Sequence, residues 1–321
     1  MRETSLRARR LILVVLAAVA TLLTAAGFGA PSASAATTDP TAKFTNAAEQ
    51  QLTQHKTADF WVRLDGSADL SAASTIKDWN KRGVAVYDAL RANAQTSQAR
   101  VVAQLKAANA DYTPYWITNA VLVRGGTLAL ATSLASNAEV QQIVETSVME
   151  LIEPVAQKPD SSPMGPHAVE WGIAAINADD VWAQGVTGQG ITVASIDSGV
   201  DVNHPALRSK YRGLQPDGTL DNNYNFFDTS GNCNAAGDPC DTDGHGTHTM
   251  GTMLGSDGGN QIGVAPGAKW IEANGCNTCA DADLIEAGQW MIAPTRLDGT
   301  APDPSKRPNI INNSWGSRNP S

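Results

Sequence analysis

The chain has 321 residues, 42% of them apolar and 17% charged, enough for one to three domains with a sizeable core and too apolar for a disordered chain. Lys and Arg number 23 against 32 Asp and Glu, a net charge of −9. That balance sets the chain apart from nucleic-acid binders, which track a phosphate backbone with an excess of cations.

The first segment reads as a targeting signal. Arg2, Arg7, Arg9 and Arg10 precede an uncharged apolar stretch from Leu11, which reaches Ala33-Ser34-Ala35. A basic start, an apolar middle and a small-x-small end predict a secretory signal peptide over residues 1–35, with cleavage after Ala35. The alternative is a retained membrane anchor, but Gly, Pro and small residues close the stretch and no basic stop-transfer cluster follows it. No other run approaches the roughly 18 apolar residues that span a bilayer. The product is expected to be secreted, with no membrane contact once the signal is removed.

Residues 36–165 read as a small separate unit with a linker. Phe60, Val62 and Leu64 alternate with the other face of the run, Trp61 and Arg63, which predicts a half-buried strand. From about residue 75 to 108 the period changes: Val86, Leu90, Ala94, Val101, Leu105 and Ala108 share one helical face. Residues 115–123 are aromatic and β-branched and predict a second strand, broken by Gly125-Gly126; residues 128–135 fit a short helix. Two further apolar runs, 140–144 and 148–152, are open between helix and strand. The order strand–helix–strand–helix–strand predicts an α+β sandwich with helices on one sheet face. Five Pro and Gly between Pro154 and Pro166, with Ser161 and Ser162, predict the linker.

Residues 166–321 carry 8 basic and 18 acidic side chains, so the acidity of the chain belongs here. A helical stretch opens at Trp171 and includes Ala174, Ile176 and Trp182. Residues 191–196 form an apolar run suited to a strand buried on both faces of a parallel sheet. It ends at Asp197-Ser198-Gly199-Val200-Asp201, which puts a carboxylate just past the carboxyl end of a strand, where open α/β sheets hold their ligand crevice. A capping or turn Asp is the plainer reading of Asp197 taken alone. Further on, Gly244 and Gly246 flank His245 and allow a tight turn into a helix, with Gly251 on its packed face for close approach. His245 and His248 are three apart and could form a metal pair, although zinc sites favour four.

Four cysteines, Cys233, Cys240, Cys276 and Cys279, stand at short spacings. In an exported chain such a set is most simply two disulfides. Local pairing, Cys233–Cys240 and Cys276–Cys279, is preferred among three connectivities. A zinc site built from the same four thiolates is the alternative.

The motif Asp197-Ser198-Gly199-Val200-Asp201, followed by His245-Gly246-Thr247-His248 and Gly251-Thr252, resembles the subtilisin-like serine proteases, in that family's order of Asp before His. Residues 310–316, Ile-Ile-Asn-Asn-Ser-Trp-Gly, look like the family's substrate-binding strand, with Trp315 where Leu is commoner. The upstream unit looks like the family's inhibitory propeptide, and on that likeness residues 140–144 become the next strand. The resemblance implies an α/β fold: a partial subtilisin-like parallel sheet with helices on both faces, preceded by a small α+β ferredoxin-like propeptide domain. The domains are then a signal peptide (1–35), an inhibitory propeptide and linker (36–165), and the amino-terminal part of a peptidase domain (166–321).

It also implies roles. Asp197 orients His245 and stabilises its charged form, and His245 is the general base toward a serine. His248 becomes a structural residue facing the domain. Ser314, Trp315 and Gly316 pair as an edge strand with polypeptide substrates. The partners expected are those substrates and the chain's own propeptide, bound intramolecularly.

Two family features are missing from these residues. The nucleophile's Gly-Thr-Ser-Met-Ala (or -Pro) and the oxyanion Ala-Gly-Asn occur nowhere among the 321 residues. The chain is therefore expected to be a truncated, inactive zymogen. The family's calcium ligand after His-Pro is also absent, because His204-Pro205 is followed by Ala206-Leu207. No cofactor is expected; calcium stays possible but unsupported by the ligand positions seen. Asp221, Asp228, Asp238, Asp241 and Asp243 read as a solvated acidic loop rather than a cation site. The alternative to a peptidase is a non-enzymatic product in which residues 36–160 act in trans as a protease inhibitor or folding helper.

Overall fold

A computed structural model describes residues 39–152, 169–233 and 237–317. The signal segment and the linker at 154–166 lie outside the described residues.

The first core is built around a four-stranded antiparallel sheet. Helix α1 (Asn46–Gln54) starts at Thr45, whose hydroxyl accepts from the Ala48 amide, and buries Ala48 and Leu52 one turn apart. Strand β1 (Ala58–Leu64) follows, then α2 (Ser71–Ser74), α3 (Trp79–Ser97) and α4 (Ala99–Ala107). The predicted single helix over 75–108 is broken at Gln98, a buried residue whose side-chain amide donates to the Tyr115 carbonyl at 2.9 Å. The predicted strand at 115–123 is in fact a hairpin of β2 (Asp111–Tyr115) and β3 (Ala120–Gly126). Asn119 makes the turn, in the left-handed region at φ 48°, a conformation Asn tolerates better than other residues with a side chain. Helix α5 (Leu128–Ala135), capped by Thr127, and β4 (Val140–Glu145) complete the unit, with β5 (Glu150–Leu151) beyond it.

The sheet order is β2-β3-β1-β4, so β1 is central. Phe60, Val62 and Leu64 pack with Val101, Leu105, Leu134 and Ile143, each large side chain contributing about 1.5–3 kcal/mol by burial. The expectation of a half-buried β1 fails on its other face. Trp61 is 3% exposed and clusters with Tyr115, Ala120 and Leu122 against Ala282 and Ile285.

The second core opens with two short helices, α6 (Trp171–Ala175) and α7 (Ala178–Trp182). Asn177, at φ 56°, interrupts what the sequence suggested was one helical stretch. Strands β6 (Thr192–Asp197) and β7 (Phe226–Asp228) precede α8 (His245–Leu254). A small hairpin, β8 (Ser256–Asp257) and β9 (Asn260–Gln261), leads to β10 (Lys269–Asn274), α9 (Asp281–Ile292), β11 (Ile310–Asn313) and β12 (Trp315–Gly316). The order β11-β6-β10-β7 is parallel throughout. Helices cover both faces: α9 packs Leu284, Trp290 and Met291 on Ala194, Ile196 and Ile271, and α8 packs Met250 and Leu254 on Val193 and Trp270. At the outer edge β11 leaves Ile310 and Ile311 exposed. No helix of the described residues is long and apolar enough to cross a membrane.

Candidate active site

Asp197 is the last residue of β6 and His245 the first of α8, and both are buried. Their side chains meet with His245 Nδ1 2.7 Å from Asp197 Oδ1. The second carboxylate oxygen accepts from the Thr249 hydroxyl at 3.2 Å, one turn along α8, and the Ser198 amide donates to Oδ1 at 2.8 Å. A carboxylate held this way fixes the ring so that Nδ1 donates inward and Nε2 faces the cleft.

The two motifs can meet only because both strand end and helix start are bare. A Cβ on Gly246 would stand 2.0 Å from the Gly199 carbonyl oxygen, and one on Gly199 would stand 2.0 Å from that of Cys240. Gly244 turns the chain at φ 102° into the helix. Gly251, expected to make the close approach, has no neighbour at its Cβ position. It faces a cleft of about 770 Å³ lined also by Trp171, Ile176, His204, His248 and Val264. His248 is exposed in that cleft rather than turned toward the domain, so it shares no metal site with the buried His245.

Asp241 was missed as a site residue. It is no part of a loose acidic loop: it ties the two motifs together. Its Oδ1 accepts from the Ser198 hydroxyl (2.9 Å) and the Gly244 amide (2.8 Å), and its Oδ2 from the amide (2.8 Å) and hydroxyl (2.6 Å) of Thr247. The Ser198 hydroxyl in turn accepts from the Gly246 amide at 3.0 Å. Burial works to raise the Asp241 pKa, but hydrogen bonds from Thr247, Gly244 and Asp243 together outweigh it and hold the carboxyl below its ordinary value. Glu272 goes the other way. It is fully buried on β10 beside Ser195. Burial, then Asp241, Asp228 and Asp197, push its pKa well above the ordinary carboxylate range, against a smaller pull from the Val200 amide.

Ser314, Trp315 and Gly316 form one wall of the cleft before His245. Residues 149–152 lie along that wall: Trp315 pairs antiparallel with Leu151 and Gly316 with Glu150, and the Ile152 amide donates to the Ser314 carbonyl at 3.3 Å. The Trp315 indole is pinned by donating to the Ile196 carbonyl at 2.9 Å. On the opposite side the Met149 amide donates to the Cys279 carbonyl at 2.8 Å, and Val148 bridges Ala280. The Ile152 carbonyl oxygen ends 3.0 Å from His245 Nε2. The Ser314 hydroxyl is engaged elsewhere, accepting from the Asn312 side chain at 2.9 Å.

Both expected disulfides are present, Cys233–Cys240 and Cys276–Cys279, so the zinc alternative falls. Among the described residues no group of three or more His, Cys, Asp or Glu is placed to hold a metal ion.

Residues 188–321 match the model of the subtilase family. Residues 188–321 belong to that family. Over 278 residues the chain is 37% identical to Bacillopeptidase F of Bacillus subtilis (strain 168), covering 81% of the chain and 19% of that protein. Over 101 residues it is 40% identical to the Major intracellular serine protease of the same organism, 31% of the chain and 28% of that protein. Among solved structures it is similar to fervidolysin from Fervidobacterium pennivorans, a keratinolytic enzyme related to subtilisin, with a TM-score of 0.49 and 18% identity, covering 81% of this chain and 36% of that one. The chain therefore spans between 19% and 36% of the length of these three proteins.

Proposed function

We propose that residues 169–317 are the amino-terminal part of the peptidase domain of a secreted subtilisin-type serine endopeptidase, and that residues 39–152 are its inhibitory propeptide. Asp197 and His245 act in it as orienting carboxylate and general base. The nucleophilic serine and the oxyanion donor are not among these 321 residues, so the chain alone does not hydrolyse peptides. Support for the propeptide comes from its β-α-β-β-α-β order, the ferredoxin-like arrangement of two helical crossovers on one antiparallel sheet. Support for secretion comes from the basic, apolar and small-residue succession over 1–35 and from two disulfides.

The observation that carries the reading is the course of residues 149–152. They lie extended between two edges of the peptidase domain, with main-chain bonds to Ser314 and Cys279, as a strand-like peptide substrate would. The Ile152 carbonyl is then the acyl group presented to the base, and the bond to be cut is Ile152–Glu153. In the productive sequence the serine adds to that carbonyl while its proton passes to His245 Nε2. His245 then returns the proton to the Glu153 amine as the bond breaks, and water releases the acyl group by the same route. Asp197 keeps its negative charge throughout and stabilises the imidazolium.

Amino-terminal sequencing of the protein released by its source cells tests this. The reading expects a mature chain beginning at Glu153. A released chain that retains residues 39–152 in covalent connection would overturn it. A second reading, in which residues 39–152 act in trans as an inhibitor, draws on the same tail and on the unit's own core of Phe60, Val62, Leu105, Leu134 and Ile143.

A further inference from the structure

Cys276 and Cys279 are joined across a turn that forms the second edge of the cleft, opposite Trp315 and Gly316. Both are buried, 2% and 4% exposed, in a cluster that includes Met149, Leu151 and Trp315. Cys279 has φ of 50°, a left-handed backbone that residues with a Cβ avoid unless something holds them there. Neither Gly nor Asn, the usual occupants, stands at this position. The carbonyl of that residue is the one that accepts the Met149 amide, at 2.8 Å.

The turn is tied at both ends to the catalytic machinery and its surroundings. The Cys276 amide donates to the Asp197 carbonyl at 3.0 Å, so one foot stands on the strand end that carries the triad carboxylate. The other foot is the start of α9, where the Asp281 amide donates to the Ser147 carbonyl at 2.9 Å, and its Oδ2 accepts from the Ser147 amide at 2.8 Å. Between these feet, the short crosslink is the covalent constraint on Cys279.

We infer that the Cys276–Cys279 disulfide is a positioning group for the bound peptide. It holds Cys279 left-handed, so that its carbonyl meets the amide of the residue three before the scissile carbonyl. Both cysteines also belong to the apolar cluster on which Met149 and Leu151 pack. The inference rests on residues 149–152 occupying the substrate cleft. It makes this edge of the cleft reducible: a dithiol delivers two electrons and two protons, the S–S bond becomes two S–H groups, and the dithiol closes to its own disulfide. Cys279 is then free to leave the left-handed region and the Met149 bond is lost, while the Trp315–Gly316 wall remains.

Amide hydrogen exchange on the whole 321-residue chain tests this. The probes are Met149, bonded to Cys279; Ile152, bonded to Ser314; and Val62, in the centre of the propeptide sheet. In C276S/C279S the Met149 amide is expected to exchange at least tenfold faster, with Ile152 and Val62 unchanged within twofold. C276S/C279G, which permits a left-handed residue without the crosslink, is expected to recover part of the Met149 protection. Should the serine variant fold poorly, dithiothreitol applied to folded C233S/C240S opens only the bond in question, and the same amides are read. Unchanged Met149 exchange overturns the inference, and so does equal acceleration of all three amides, the signature of a general staple. In the unaltered chain, protection at Met149 without protection at Ile152 supports the clamp while removing the reading of the cleft.

Discussion

The carbonyl oxygen of Ile152 stands 3.0 Å from Nε2 of His245, 93 residues further along the chain. In the proposed function Nε2 is the nitrogen that takes a proton from the nucleophile, and here the chain's own tail stands against it. In the proposed function this strand inhibits as a product does, because it uses the main-chain bonds to Ser314 and Cys279 that would hold a substrate.

The first expectation concerns Asp197. In a form of the protein that carries the serine, Asp197→Asn keeps the shape but removes the acceptor that selects the ring tautomer. Turnover should fall by about 10⁴-fold, with KM little changed. Steady-state kinetics on a short peptide check it, and a loss below tenfold would deny Asp197 its role.

The 321 residues alone should not react with a fluorophosphonate, because the family's nucleophile motif does not occur among them. Gel fluorescence after labelling is the readout. A labelled serine in this chain would place the nucleophile where the account does not.

Asp241 and Glu272 should tilt stability in opposite directions with pH. The Asp241 pKa is lowered by folding, so its contribution is present above the unfolded carboxylate value and is lost as pH falls through the folded one. Asp241→Asn should cost about 3 kcal/mol at pH 7, given several hydrogen bonds to one charge, with the gap closing below about pH 4. Urea unfolding at the two pH values measures it; a gap that persists in acid counts against the ionised Asp241 as the tie between the two motifs.

Glu272 has its pKa raised by folding. Its neutral form is the one the fold accommodates, so stability is greatest below the unfolded value and declines as pH rises toward the folded one. Glu272→Gln keeps the neutral shape and removes that decline. The variant should match the parent near pH 4 and exceed it in melting temperature at pH 8. A parent more stable than the variant at pH 8 would show the carboxylate to be satisfied in the fold.

What the sequence disclosed and what it withheld follow a physical pattern. Asp197 and His245 were legible because their neighbours are constrained: Gly199 and Gly246 sit where any side chain would strike a backbone carbonyl. Local periodicity found the strand at 58–64, the helix at 128–135 and the strand at 192–197 to within a few residues. It missed the 111–126 hairpin because the turn depends on one left-handed Asn, Asn119. Asp241 was misread because its partners, Ser198 and Thr247, come from separate segments and only the fold assembles them. Trp61 looked like the outer face of a half-buried strand; its indole donates to Asp281 at 2.9 Å, 220 residues away. Contacts of that range leave no local periodicity to read.

The proposed function stands on residues 148–152 filling the substrate cleft. Inhibition of a closely related, complete subtilase by residues 39–152, compared with residues 39–147, tests it most directly, with far-UV circular dichroism to show that both forms are folded. The account predicts that the longer form inhibits and that removing the tail raises the inhibition constant at least a hundredfold while the helical signal is kept. Equal inhibition constants for two folded forms would contradict it.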